Sequence, residues 1–229
     1  MKTVPLISVA SCNACQNRCL HCAHQGMRDE DPAYQMPLED VTALIERFKS
    51  LGCRTQSISL CGPGEPLIWK HFNEAVRLIA RSGIADRIEA TTNGLALCII
   101  EEDVWQMLNP LFISGYGTID KTKYNAEHSV VRPRPQFWYV DKSKIPATTF
   151  TQCGCPGMTY YKGHIYPYCG PVLFDACLLS GKKHTDFSVP LNQFDPDRMP
   201  DMPHLKYLPC AWCWGNPVVP KINFTWNKE

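Results

Sequence analysis

Short apolar runs that read as buried strands alternate with amphipathic stretches that read as helices through the first half of this chain, and this alternation most narrows its possible folds. Val4–Val9 and Gln56–Leu60 carry strand patterns, and Arg87–Thr91 and Leu111–Ser114 follow. Between them, Leu38, Val41, Leu44, Ile45 and Phe48 recur at helical spacing within Pro37–Leu51, with Gly52 as a stop. His71–Ser82, closed by Gly83, and Glu101–Leu108, with acids in its first turn, read as two more helices. Gln136–Val140 is a candidate fifth strand. Strands separated by helices pair in parallel, so the expected class is α/β: a parallel sheet or a partial (β/α) barrel. In such folds the working loops leave the carboxyl ends of the strands. Here those loops are Cys12–His24, Cys61-Gly-Pro-Gly-Glu-Pro66, Thr91-Thr-Asn-Gly94 and Ser114-Gly-Tyr-Gly117, which would meet at one mouth.

The first of these loops carries Cys15, Cys19 and Cys22, a Cys-x3-Cys-x2-Cys run, with Cys12 just ahead of it. Three thiolates at this spacing can bind three irons of a 4Fe–4S cluster and leave the fourth open to a small molecule. Cys12-x2-Cys15 and Cys19-x2-Cys22 also make two close pairs, which suits a four-cysteine zinc knuckle. The loop after the next strand separates the two readings. Its Gly62 and Gly64 allow close backbone approach, and Glu65 offers a carboxylate to an amine, for which a zinc knuckle has no use. Thirteen cysteines, an odd number at tight spacings, read as metal or cluster ligands in a reducing cytoplasm rather than as a disulfide framework. The formal charge of +1, with no basic or acidic block, gives no footprint for nucleic acid or membrane surface. No apolar run approaches the roughly 20 residues of a spanning helix, and the apolar N-terminal run reads as a strand rather than a signal.

Cys15, Cys19 and Cys22 together with Pro63–Pro66 resemble the radical S-adenosylmethionine (radical SAM) superfamily. The resemblance covers roughly residues 4–140 and implies a partial barrel of that family's type. It implies that these three cysteines hold a 4Fe–4S cluster and that His21 takes the place of the aromatic near adenine. Gly62, Pro63, Gly64 and Glu65 would receive the methionyl amino group, with Pro63 standing where the family's first glycine usually is. Asn93 and Ser114 fall where the family contacts ribose or carboxylate. The implied chemistry is reductive cleavage of S-adenosylmethionine, giving methionine and a 5′-deoxyadenosyl radical that abstracts hydrogen from an unactivated carbon. An electron donor such as flavodoxin or ferredoxin is implied as a partner.

After about residue 145 the composition turns to Pro, Gly, Tyr, Trp and Cys, so the expected division is a core over 1–145 and a small cysteine-rich region over 146–229. Cys155 and Cys169 bracket Tyr160–Tyr166, which reads as a β-hairpin, and Cys210-x2-Cys213 comes later. This spacing resembles the twitch domain, a shortened SPASM domain, and implies a second, auxiliary 4Fe–4S cluster on Cys155, Cys169, Cys210 and Cys213. Cys153 competes with Cys155 for the first place, and four-cysteine zinc is again the alternative.

The expected function is a cytoplasmic radical enzyme acting on a small polar molecule, a sugar or aminocyclitol, by alcohol oxidation or epimerisation. Enzymes pairing a short radical SAM core with a twitch domain include 2-deoxy-scyllo-inosamine dehydrogenase, similar in length and layout. There an auxiliary cluster is a natural electron acceptor. Epimerisation would need a hydrogen donor, and Cys61, at a strand end beside the cofactor loop, is the candidate. A peptide-modifying maturase is the enzymatic alternative. The few residues before the first strand and the few well-spaced late cysteines weigh against it. A zinc-binding interaction module with two knuckles is the non-enzymatic one. The scattered histidines read as surface or satisfied-core residues.

Overall fold

In the computed structural model, the apolar stripes fold as their spacing predicts. Leu38–Ser50 is helix α1, burying Val41, Leu44, Ile45 and Phe48, and Phe72–Ser82 is helix α2, burying Phe72, Ala75, Val76 and Ile79. The third helix, α3, is Glu102–Met107, with Glu102 and Asp103 in its first turn. The structure describes residues 2–17, 22, 24, 30–114, 124–132, 137–140, 157–166, 183–197 and 221–224.

Strands β1 (Lys2–Val9), β2 (Cys53–Leu60), β3 (Ala85–Thr92), β4 (Leu108–Ser114) and β5 (Ser129–Arg132) pair in parallel, each with the next. Two expectations shift here. The fifth strand of this sheet is Ser129–Arg132, an edge strand with Val130 and Val131 exposed, too short and too evenly apolar to signal itself. The expected strand does form, as β6 (Phe137–Val140). It pairs antiparallel with Lys221–Phe224, the last strand β10, in a separate two-stranded sheet. β4 also begins earlier than expected, because Pro110 lies inside it where a proline usually argues against a strand. The ladder tolerates it through a register shift: Ile88 pairs with Leu108 and Ala90 with Leu111, leaving Asn109 and Pro110 opposite Glu89.

The predicted hairpin is present as β7 (Gly157–Tyr161) and β8 (His164–Tyr166), turned through Lys162 and Gly163, both at positive φ. It joins the main sheet. β7 lies parallel against β1, β9 (Val189–Pro190) pairs with β8, and the strand order is β5-β4-β3-β2-β1-β7-β8-β9.

Register fixes the two faces. Tyr160 donates its hydroxyl to the Asp40 carbonyl of α1 at 3.2 Å, so its face is the helix-covered one. Val9, Leu60, Ala90 and Leu111 pair in line with Tyr160 and share that face, all nearly fully buried. They form the core with Phe48, Phe72, Val76 and Ile79. Each of these side chains larger than Ala90 contributes about 1.5–3 kcal/mol by leaving water. The alternate residues, among them Ser8, Ser57, Ser59, Glu89, Thr159 and Tyr166, lie on the opposite face.

Candidate active site at the carboxyl ends of the strands

The loop after β1 is closed by a short stem. Cys12 bridges Gln35, Met36 N donates to the Ser11 carbonyl at 2.8 Å, and Asn13 N donates to the Tyr34 carbonyl at 3.1 Å. Residues 14–33, which include Cys15, Cys19 and Cys22, are thus tied at their base. Trp69, 1% exposed, reinforces the stem by donating its indole N–H to the Met36 carbonyl at 2.8 Å.

The loop after β2 docks onto this stem backbone to backbone. Gly64 N donates to the Cys12 carbonyl at 2.9 Å and Glu65 N to the Ala14 carbonyl at 2.8 Å. A Cβ on Gly64 would lie 2.6 Å from the Cys12 oxygen and nearer still to that of Ala14; one on Gly62 would lie 2.9 Å from the Ala10 Cα. Both positions therefore admit only glycine at this separation.

Glu65 is 3% exposed, and its carboxylate is held from three sides. Leu67 N donates to Oε1 at 3.1 Å, Thr92 Oγ1 to Oε1 at 2.6 Å and Asn93 N to Oε2 at 2.7 Å. Burial pushes its carboxyl above the ordinary range, and the donors from Thr92, Asn93 and Leu67 pull it back. Three of about four lone-pair positions are filled from within, which leaves one on Oε2 for an incoming donor. Glu65 thus braces the ends of β2 and β3 together, a role its motif did not reveal. Pro63, between the two half-buried glycines, is itself buried.

Asn93 completes the junction. Its side-chain amide donates to Gln16 Oε1 at 3.2 Å and faces Cys15 Sγ at 3.9 Å, while its Oδ1 accepts from Leu95 N at 2.9 Å. Cys15 and Cys22 are half-buried, and none of the six described cysteines is in a disulfide. Cys12 differs: it is 2% exposed, and its thiol donates to the Glu65 carbonyl at 3.2 Å. Burial, with Glu65 close by, pushes that thiol up to about 12. Buried and turned to the Glu65 carbonyl, Cys12 faces away from a shared metal position, so the donor set suits three thiolates better than four. Cys61 and Ser114 are half-buried at the ends of β2 and β4; Cys61 continues the parity of Ser57 and Ser59. Cys19 and His21 lie outside the described residues, as do Cys153, Cys155, Cys169, Cys210 and Cys213.

A second set of residues, missed by the sequence reading, clamps the return limb of the cysteine loop. Asn13, 1% exposed, donates to the Asp31 carbonyl at 2.8 Å and to Tyr161 Oη at 3.0 Å. Lys162 Nζ pairs with Asp31 at 3.0 Å and sits 5.3 Å above the rings of both Tyr34 and Tyr161. His184 Nε2 meets Glu30 Oε1 at 3.1 Å, and its Nδ1 meets Tyr166 Oη at 2.6 Å. Burial lowers the His184 pKa, with Lys162 and His164 acting the same way and Glu30 opposing. The neutral ring, Nε2–H toward Glu30 and Nδ1 accepting from Tyr166, fits both bonds. These partners lie far apart in sequence, and no local spacing could have signalled them.

Residues 9–109 match the family profile described as Radical SAM superfamily. A GTP 3′,8-cyclase of Caulobacter vibrioides is 33% identical over 99 residues, 42% of this chain and 28% of that protein. One of Rhodopseudomonas palustris is 30% identical over the same shares. The matched stretch thus spans little more than a quarter of these relatives. Among solved structures, BtrN in complex with AdoMet and 2-DOIA superposes with a TM-score of 0.62 at 16% identity, covering 90% of this chain and 85% of that one. Selenomethionine BtrN in an open conformation gives 0.50 at 19% identity, over 71% of this chain and 68% of that one. These structures share the fold. Among the described residues no helix is long and apolar enough to cross a membrane. Over residues 9–109 the chain is thus similar to the radical SAM superfamily, and it shares its fold with the solved structures.

Proposed function

We propose that this chain is a radical SAM enzyme acting on a small polar substrate, a sugar or aminocyclitol, by alcohol oxidation or epimerisation. The observation that carries the reading is the junction of the Gly62–Glu65 loop with the cysteine loop, locked by Gly64, Glu65 and Asn93. In this reading Cys15, Cys19 and Cys22 hold a 4Fe–4S cluster. The open lone pair of Glu65, the backbone of Gly62–Gly64 and the polar ends at Asn93 and Ser114 receive S-adenosylmethionine, with His21 beside its adenine. Bound there, cluster and cofactor supply a carbon radical able to abstract hydrogen.

The chain's own groups hold and shield. The Asn13–Tyr161 and Glu30–His184 contacts tie the two ends of the cysteine loop to the β7–β8 hairpin and to the segment after it. Glu65, held from three sides, keeps the ends of β2 and β3 at fixed separation. Cys155, Cys169, Cys210 and Cys213 would hold the auxiliary 4Fe–4S cluster, in a twitch-like region over 146–229 whose β7–β8 hairpin extends the sheet of the core over 1–145. Flavodoxin or ferredoxin would supply electrons, and the enzyme would work in the cytoplasm. Cys61, on the parity of the face opposite the helices, is the proposed hydrogen donor if the outcome is epimerisation.

Anaerobic turnover with candidate polyols and amino sugars in deuterated buffer tests this. Each 5′-deoxyadenosine formed should accompany either loss of two substrate hydrogens, for oxidation, or gain of one solvent deuterium, for epimerisation. Cys61→Ala should stall the second outcome after abstraction. Cleavage of S-adenosylmethionine that no polyol or amino sugar stimulates would reject this substrate class.

A further inference from the structure

The face of the sheet away from the helices carries an unusual row. Register places Glu89 of β3 beside Ser59 of β2, Ser59 beside Ser8 of β1, and Ser8 beside Thr159 of β7. All are polar, although Ser59 is 7% and Thr159 2% exposed. The inside of a barrel built for stability is filled by branched apolar side chains. Burying hydroxyls and a carboxylate there costs free energy unless partners meet them. One partner is absent among the described residues: Ser57, two residues before Ser59 on the same face, is 1% exposed, and its Oγ has no hydrogen-bond partner there. An orphaned buried hydroxyl on a polar floor points to a group that comes from outside the chain.

Glu89 is the charged member. Its side chain is 14% exposed, and Oε1 accepts from Arg87 Nε at 2.7 Å. Arg87 itself is mostly in solvent, 57% exposed, so it partners one oxygen from the rim. Opposite Glu89 the ladder bulges at Asn109–Pro110, a device that re-aims a side chain and recurs beside active sites. The row lies two residues, about 7 Å along the strands, below the level of Cys61 and the Gly62–Glu65 loop.

We propose that this row is the floor of the substrate site and that Glu89 is its specificity-determining residue, taking the ammonium of a small polyhydroxylated amine while Ser8, Ser57 and Ser59 bond its hydroxyls. A carboxylate at this position selects against phosphate-bearing nucleotides. The proposal rests on the reading of the chain as a radical enzyme for a small polar substrate, and narrows it.

The test is equilibrium binding to the anaerobically reconstituted full chain carrying S-adenosylmethionine. The probes are scyllo-inosamine, glucosamine, their hydroxyl counterparts scyllo-inositol and glucose, and GTP. At least one amine should bind roughly tenfold to a hundredfold tighter than its hydroxyl counterpart, the range of a hydrogen bond to a charged group. GTP should not bind. In Glu89→Gln the amine preference should fall to near one. The preference is a ratio within one sample, so partial unfolding cancels, and the wild-type ratio needs no variant. A wild-type ratio near one, a preference kept in Glu89→Gln, no amine bound, or GTP bound as tightly as an amine would each overturn the proposal. If the protein cleaves S-adenosylmethionine while showing one of these results, only this proposal fails. If it takes up no cluster and cleaves none, the reading beneath it fails.

Discussion

At the scale of single residues, the site is decided by what Glu65 and Cys12 already hold. Thr92, 2% exposed, gives Glu65 its shortest hydrogen bond and also accepts from Gly94 N at 3.0 Å. Thr92→Val removes both, leaving a buried carboxylate one donor short. The expected cost is about 1.5–3 kcal/mol in chemical denaturation, without loss of the fold. Cys12 makes the opposite prediction for the metal. Its thiol is turned to the Glu65 carbonyl, so Cys12→Ala should keep the iron content of the reconstituted protein, whereas Cys15→Ala should lose it. Iron assay on matched preparations checks both. Gly64 and Glu65 could be read from the chain because the chemistry they serve is local to one loop. Asn13 could not, since its partner Tyr161 lies 148 residues away and the contact exists only once β7 is laid beside β1.

At the scale of elements, two loops are held by different physics. The Gly62–Glu65 loop is held by backbone contact, so Gly64→Ala must push the Cys12 and Ala14 carbonyls away and break both hydrogen bonds. The expected result is loss of several kcal/mol of stability or of cluster uptake, read by denaturation and iron assay. The cysteine loop's return limb is held by side chains, and His184 makes that hold depend on pH. The groups facing His184 are Glu30, Lys162, His164, Tyr161 and Tyr166. Its folded pKa is below the unfolded value of about 6.5, so the unfolded chain binds more protons between the two. The stability it contributes is complete above about 6.5 and is lost as pH falls through the folded value. Melting temperature measured from pH 7.5 to 5.5 should fall less steeply in His184→Gln than in wild type; equal slopes would remove His184 from this role. Helices α1 to α3 and β1 to β4 were legible because each carries a clean period. Ser129–Arg132 was not, since four residues at a sheet edge hold too little pattern, and Pro110 hid the start of β4.

At the scale of the whole molecule, the alternation of strands and helices specified the parallel sheet and placed the chemistry at one end of it. It did not show that the hairpin after residue 156 would extend that sheet across β1, because the pairing is set by the free edge of β1 rather than by the hairpin's own sequence. Nor did it show the polar face of the sheet, since a serine in a strand pattern signals nothing until register lines it up with others. In the proposed reading this scaffold brings a three-cysteine cluster against S-adenosylmethionine. The most direct measurement is the product of S-adenosylmethionine after anaerobic reconstitution and chemical reduction. The expected result is a brown protein that forms 5′-deoxyadenosine and methionine, an activity abolished by Cys15→Ala and by Cys22→Ala and retained by Cys12→Ala. A colourless zinc protein that forms no 5′-deoxyadenosine, with Cys12→Ala losing its metal as fully as Cys15→Ala, would contradict it.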